Sequence, residues 1–464
     1  MNTRQSRFLT IASCALLTTL AGASGFEDPP GSAPRFDEGV LELVPGADID
    51  GVLTRYGFSL RRSIPSRNIH LVSFRTALTD EQFEMLFLGD AEIDHSELNF
   101  DTGNAGPNSG SLFFNVAPVE FTAQPVWDVL GVGAAHAVAT GAGTTIAFVD
   151  TGLDASNPLF AGRVHPAARS FVGDPADFAD AGNGINDDGL GETDEMVGHG
   201  TWVAGIAATV APNASLLPIR ALDDEGFSDA FTLTQAIYHA IDSGANVINL
   251  SLGSVAQVRI VERAVDDAAD LGIIVVAAAG NQASDVAEFP AGNNKAAGVA
   301  AVALDGQIAG FSNFGGDGEL LLSAPGVQIV GPTVAGYGEA SGTSASVPFV
   351  AGTAALLIEK GTVRRWSDFR EMAKRTAIDI RGQNPGLPDD ALGEGMLDVL
   401  AAVEWTGPCF ADLNDDDVLD LADVQAFIVG FTTGDEEADF VGPRGVWDLG
   451  DLQFFLQSFI SGCP

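Results

Sequence analysis

Short, largely apolar runs punctuate the middle of this 464-residue chain: Thr145–Val149, Leu216–Ile219, Val247–Leu250, Ile273–Ala277 and Val299–Val302. Between them, Thr201–Thr209, Ala230–Ser243 and Val258–Leu271 carry apolar residues at helical spacing. Continuous apolar strands separated by helices predict an α/β fold with a parallel sheet covered on both faces. Such sheets bind ligands outside the carboxyl ends of their strands, where Asp150, Ser251 and Asn281 fall.

The pattern differs on either side. Residues 38–100 read as a small α+β unit, with strands at Val40–Val44 and Ile69–Phe74 and helices at Ala47–Tyr56 and Asp80–Leu88. The Gly/Asn/Ser-rich stretch Asp101–Ser111 reads as a linker. At the other end, Val418–Phe431 repeats as Val446–Phe459 at an offset of 28, with seven of fourteen positions identical. Two copies of a loop-plus-helix unit are expected. At the start, Arg4 and Arg7 precede the mainly apolar Phe8–Leu20 and then Ala21-Gly22-Ala23, the layout of a secretory signal. Ile11–Cys14 offers a lipoprotein-type alternative, but only Phe8, Leu9 and Thr10 would remain as its apolar core. No later stretch reaches the roughly 18 apolar residues of a membrane span. The expected divisions are a signal peptide at 1–25, a leading unit and linker at 26–110, a catalytic domain at 111–408 and a C-terminal module at 409–464.

Charge narrows the function classes. With 22 Lys+Arg against 63 Asp+Glu, the net charge of −41 argues against nucleic acid, whose phosphates need basic residues, and against anionic membrane surfaces. It suits secretion into a saline medium, where ions screen self-repulsion. Of the three cysteines, Cys14 leaves with the signal, and an oxidising compartment permits a disulfide between Cys409 and Cys463; two free thiols are the alternative.

Three motifs carry chemistry. Ile146–Asp154 puts Asp150 at the end of a buried strand, Gly198–Gly205 puts His199 at the start of a helix, and Gly342–Gly352 puts Ser344 at the start of another. A serine hydroxyl needs a base, and imidazole titrates near neutrality. A buried carboxylate fixes the tautomer of that imidazole and stabilises its cation. Asn281, after Val275–Gly280, has an amide donor for an oxyanion, and the Ser344 N–H could be a second.

In this order and these contexts, Asp150, His199 and Ser344 make the chain resemble a subtilisin-type serine protease, a subtilase, from about Gln124 to Val403. Ser323–Gly326 and Gly393–Asp398 belong to the same resemblance. It implies a subtilisin-like three-layer fold. It also implies that Ser251, Leu252 and Gly253 pair with an extended polypeptide substrate, while Ala278, Ala279 and Gly280 line one wall of the primary specificity pocket. The chain departs from the family pattern at Trp202 and Phe349, where histidines are usual, and at Ala345, where methionine is usual. Residues 38–100 resemble the subtilase propeptide through Val40–Asp48 and Ala91–Phe100. That implies a zymogen cut somewhere in Phe100–Phe121; a permanent N-terminal domain is the alternative.

Two acidic loops have the oxygen-rich spacing that calcium requires. One holds Asn186, Asp188 and Asp194 just before His199. The other has ligand types at EF-hand positions: Asp412, Asn414, Asp416, the Val418 carbonyl, Asp420 and Asp423. In the second repeat only Asp439, Asp448 and Asp451 survive, with Val441 and Pro443 at ligand positions. The duplicated loop and helix, ending on Asp, resemble a dockerin. That implies a small helical EF-hand-like module with structural Ca2+ that docks to a cohesin-like or cell-surface partner. The expected whole is a secreted endopeptidase with a monomeric catalytic domain.

Overall fold

The computed structural model describes residues 34–102, 114–186, 193–254, 256–316, 318–334, 336–414, 418–435, 438–441 and 446–462. The expected signal peptide, most of the linker, Asp188, Asp416, Pro443 and Cys463 lie outside them.

The leading unit forms strands β1 (Pro34–Leu43), β2 (Ser59–Ile64), β3 (Ile69–Ser73) and β4 (Ile93–Thr102), with helices α1 (Ile49–Tyr56) and α2 (Asp80–Leu86). Helix α1 starts where Asp48 accepts the Asp50 N–H and ends at Gly57; α2 starts on a Thr79–Gln82 capping box. The strands pair antiparallel in the order β2-β3-β1-β4. One sheet face packs Leu41, Leu43, Val72 and Leu98 against Phe83 and Phe87 of the helical layer. The opposite face sends Val40, Ile69 and Leu71 into the core of the following domain. Strand β4 runs two residues into the stretch read as linker, and its Asp101 and Thr102 pair with that domain.

After β5 (Phe114–Asn115) come the short helices α3 (Pro118–Ala123), α4 (Val126–Val129) and α5 (Val132–Ala135). The central sheet is then built from β6 (Thr145–Asp150), β7 (Arg169–Ser170), β8 (Ser215–Arg220), β10 (Val247–Leu250), β11 (Ile274–Ala278), β12 (Ala296–Val302) and β13 (Leu322–Pro325). The two-residue strand β9 (Ser228–Asp229) pairs instead with β4. The seven central strands are parallel, in the order β13-β12-β11-β10-β6-β8-β7. Alternate residues serve opposite faces. Ile146 and Phe148 join a core with helices α6 (His199–Val210) and α9 (Thr343–Lys360), while Ala147 and Val149 join one with α7 (Ala230–Asp242) and α8 (Arg259–Asp270). The fold class is therefore α/β with three layers. A hairpin of β14 (Ile329–Thr333) and β15 (Gly336–Ala340) takes β5 as its third strand, and α10 (Trp366–Thr376) and α11 (Val399–Glu404) complete the α9 face.

The C-terminal repeat gives two helices, α12 (Leu421–Thr433) and α13 (Leu449–Ser461), at the offset read from the sequence. Phe427, Phe440 and Phe455 make a separate small core. Cys409 is disulfide-bonded.

Candidate active site

Asp150 ends β6, and Ser251 follows the end of β10. These strands are adjacent and parallel, with Asn249 beside Phe148, so both residues lie at one sheet edge. His199 opens α6 next to Asp150. Gly198, at φ 95°, turns the chain through the left-handed region that glycine favours just before it. The His199 Nδ1–H donates to Asp150 Oδ1 at 2.7 Å, which leaves Nε2 as the acceptor nitrogen. Both side chains are buried. Burial alone would lower the His199 pKa, but the charge and hydrogen bond of Asp150, with the charge of Asp180, raise it overall.

Ser344 sits in the first turn of α9, where the helix dipole favours negative charge. Its hydroxyl donates to the Ser251 carbonyl at 3.1 Å, and the Ser251 hydroxyl donates back to the Ser344 carbonyl at 3.0 Å. Asn249 Nδ2 holds that Ser251 hydroxyl at 2.9 Å. Asn281 follows β11, and its Oδ1 accepts the Thr343 N–H at 2.9 Å and the Thr343 hydroxyl at 3.1 Å. The amide is thus oriented by the turn that presents Ser344. Asp150 and His199 are joined directly, and Ser344 and Asn281 meet them at the same edge through β10 and α9.

Ser251, Leu252 and Gly253 run on from β10; Ala278 closes the adjacent strand β11, and Ala279 and Gly280 follow it. Of the three departures from the family pattern, Trp202 donates its indole N–H to the Ile329 carbonyl at 3.2 Å, and its ring lies 6.1 Å from that of His199. Phe349 packs against Trp127 at 5.7 Å, and Ala345 is buried in the α9 layer.

One buried group here was not legible from the sequence. Asp180 accepts the Gly198 N–H, the Thr201 N–H and the hydroxyls of Thr151 and Thr201, at 2.6–3.0 Å. It caps the first turn of α6 and ties it to the residue after Asp150, fixing where His199 points. Burial pushes its pKa up, against those hydrogen bonds. Asp180 lies in an acidic stretch that reads as solvated loop, and no local motif sets it apart.

Among the described residues, no group of three or more His, Cys, Asp or Glu is arranged to hold a metal. In the loop before His199, Asp194 accepts the N–H groups of Asn183 and Gly184, so this carboxylate braces its own loop. The repeat loops are built alike. Asp423 Oδ1 accepts the Leu413 N–H and Oδ2 the Asp420 N–H; Asp451 Oδ1 accepts the N–H groups of Phe440 and Val441 and Oδ2 that of Asp448. Asp420 and Asp448 cap the helices that follow. Asp412 and Asp439 are buried at the loop starts, as are Asp423 and Asp451. The oxygens of Asp412, Asn414, Val418, Asp420 and Asp423 are of the type a hard cation takes, although the described residues do not gather them into a metal-holding group.

The subtilase family model, Peptidase_S8, matches residues 141–400. A thermophilic serine proteinase of Bacillus sp. (strain AK1) is 39% identical over 252 residues, 52% of this chain and 58% of that protein. Thermitase of Thermoactinomyces vulgaris is 35% identical over 277 residues, 57% of this chain and 88% of the enzyme. Halolysin of Haloferax mediterranei is 30% identical over 422 residues, 85% of this chain and 75% of the enzyme. Among solved structures, fervidolysin of Fervidobacterium pennivorans, described as a keratinolytic enzyme related to subtilisin, aligns with a TM-score of 0.66 at 22% identity, over 82% of this chain and 63% of that one. The chain therefore spans less than two thirds of the Bacillus proteinase and of fervidolysin.

Proposed function

This chain belongs to the subtilase family of serine-type endopeptidases, and from that premise we propose that it hydrolyses extended polypeptides with Ser344 as nucleophile, His199 as base and Asp150 as its orienting partner. The buried 2.7 Å contact between His199 and Asp150, at the edge that holds Ser344, carries this reading. Rotation about the Ser344 side chain moves its hydroxyl from the Ser251 carbonyl toward His199 Nε2. Such contacts commonly tighten only when substrate is bound. Ser344 Oγ then attacks the scissile carbonyl carbon as His199 takes its proton. The oxyanion is met by the Asn281 amide and the Ser344 N–H, a type of contact worth about 2.7–4 kcal/mol per donor. His199 returns the proton to the leaving amine, and water completes the cycle through the same base. Substrate adds as a strand along Ser251–Gly253.

The remaining parts of the proposal concern context. The protein is secreted, and residues 26–110 act as a propeptide removed between Phe100 and Phe121. Asp412, Asn414, Asp416, Val418, Asp420 and Asp423 would hold Ca2+, which supplies loop order rather than chemistry. Asn186, Asp188 and Asp194, and Asp439, Asp448 and Asp451, are weaker sites of the same kind. A Cys409–Cys463 disulfide closes a dockerin-like module that docks to a cohesin-like or cell-surface partner.

A fluorophosphonate probe tests the core of this reading. Mature protein should label at Ser344, and Ser344→Ala should neither label nor turn over peptide, while accumulating the unprocessed chain. An unlabelled wild type under conditions that label thermitase would overturn it.

A further inference from the structure

Glu288 is a buried carboxylate that the mechanism above does not use. Its Oε2 has no hydrogen-bond partner, and the residue is 5% exposed. Its backbone ties together the two segments proposed to hold substrate. The Glu288 N–H donates to the Ala279 carbonyl at 2.9 Å, and the next residue, Phe289, exchanges hydrogen bonds with Ser254 at 2.8 and 2.9 Å. The side chain lies between the same two segments. A methyl group added to Gly253 would fall 2.2 Å from Glu288 Oε2, and one added to Gly280 would fall 2.8 Å from its Cδ. Both walls are glycine where they meet this carboxylate, because any side chain there would displace it.

Leaving a carboxylate oxygen unpartnered in a dry site is costly, so such a group gains most from a partner that arrives with the ligand. Burial pushes the Glu288 pKa up to about 7, partly offset by a hydrogen bond from Gln282. Buried Leu252 flanks Glu288 on one side and Ala278 and Ala279 on the other, while the Asn313 amide beside Gly280 is tied to Gln282. A site with apolar sides and one anionic end matches a long aliphatic stem with a cationic head. The acidity of the whole chain also steers cationic peptides toward it.

We propose that Glu288 is the specificity-determining residue of this protease and selects a lysine or arginine side chain immediately before the scissile bond. The inference rests on the endopeptidase reading and names its substrate class.

The test uses peptide p-nitroanilides that differ only in the residue before the scissile bond (Arg, Lys, Phe or Leu), with active sites counted by fluorophosphonate titration. The wild type should cleave the Arg and Lys substrates with kcat/KM at least about 10-fold above Phe. Glu288→Gln keeps the shape and removes the charge. It should lower kcat/KM for Arg and Lys by about 30-fold or more, leaving Phe and Leu unchanged or improved per titrated site. A wild type that titrates fully but prefers Phe or Leu overturns the proposal without touching the endopeptidase reading, and needs no variant. So does a Glu288→Gln protein that loses all four substrates equally. Failure to titrate at all sinks the endopeptidase reading and this one with it.

Discussion

Phe58, Phe74, Phe83 and Phe87 pack together in the unit before the catalytic domain, and Phe427, Phe440 and Phe455 in the module after it. Both cores are small and aromatic, but the attachments differ. The leading unit lends Val40, Ile69 and Leu71 to the layer of α7 and α8, so its sheet is part of the neighbouring core. Around that patch the seam is charged. Arg62 meets Asp229 at 3.1 Å, Arg67 meets Asp242 at 2.9 Å, and Arg263 binds Glu42. Glu97 accepts the first N–H groups of α8, from Arg259 and Ile260, at 3.1 and 2.8 Å. The C-terminal module keeps its core to itself. It meets the domain where the Arg364 guanidinium lies 4.8 and 4.0 Å from the ring centres of Phe410 and Phe454. A unit that completes another's core can guide its folding, whereas a unit with its own core can be carried without being needed.

The edge between the two units sets the scale for changes that should leave both seams alone. Asp150→Asn should lower kcat by about 10⁴-fold while the melting of either unit is unmoved. Because the net shift of His199 is upward, the acid limb of kcat/KM in the wild type should lie above the ordinary imidazole value, since activity needs the neutral ring. Losing the Asp150 charge should move that limb down. A limb that stays put would mean another group titrates.

Deletion divides the units most directly. Expression without residues 34–102 uncovers α7 and α8 and should reduce the yield of fluorophosphonate-reactive enzyme more than tenfold. Removal of 409–464 should leave kcat/KM within about twofold, since the described residues of that module keep their own core away from the sheet edge. Equal effects of the two deletions would break the comparison. More finely, Glu97→Ala in the Ser344→Ala background leaves the first turn of α8 uncapped. It should weaken the leading unit's hold by about 1–2 kcal/mol, read as a lower first melting transition that falls further with added salt. The smallest effect is expected for Arg364→Ala, about 1 kcal/mol. It should show as faster amide exchange in α12 and α13 with no change in turnover.

Much of the candidate site can be read along the chain because each of its proposed catalytic groups sits at the end of a regular element. Asp150 closes an apolar run, and His199 and Ser344 open helices marked by glycine, so local pattern and chemistry coincide. The repeat at residues 418–459 likewise foretells two helices, while the Asp420 and Asp448 caps emerge only in the structure. Strand β2 was not evident, because Ser59–Ile64 carries Arg61 and Arg62 on a partly exposed edge. Asp180 and Glu288 were not evident either. Each lies in a loop, and each matters through partners far off in sequence: Asp180 through Gly198 and Thr201, Glu288 through Gly253 and Gly280.

Sequence alone determined the layered α/β class, the order of Asp150, His199 and Ser344 as the candidate triad, and the duplicated C-terminal unit, since apolar periodicity and residue chemistry are local properties. Tertiary structure decided which carboxylates are buried, which of them brace a helix and which lie wedged between two glycine segments. Burial and unpaired oxygens arise only when distant segments close on one another, as 253, 280 and 288 do.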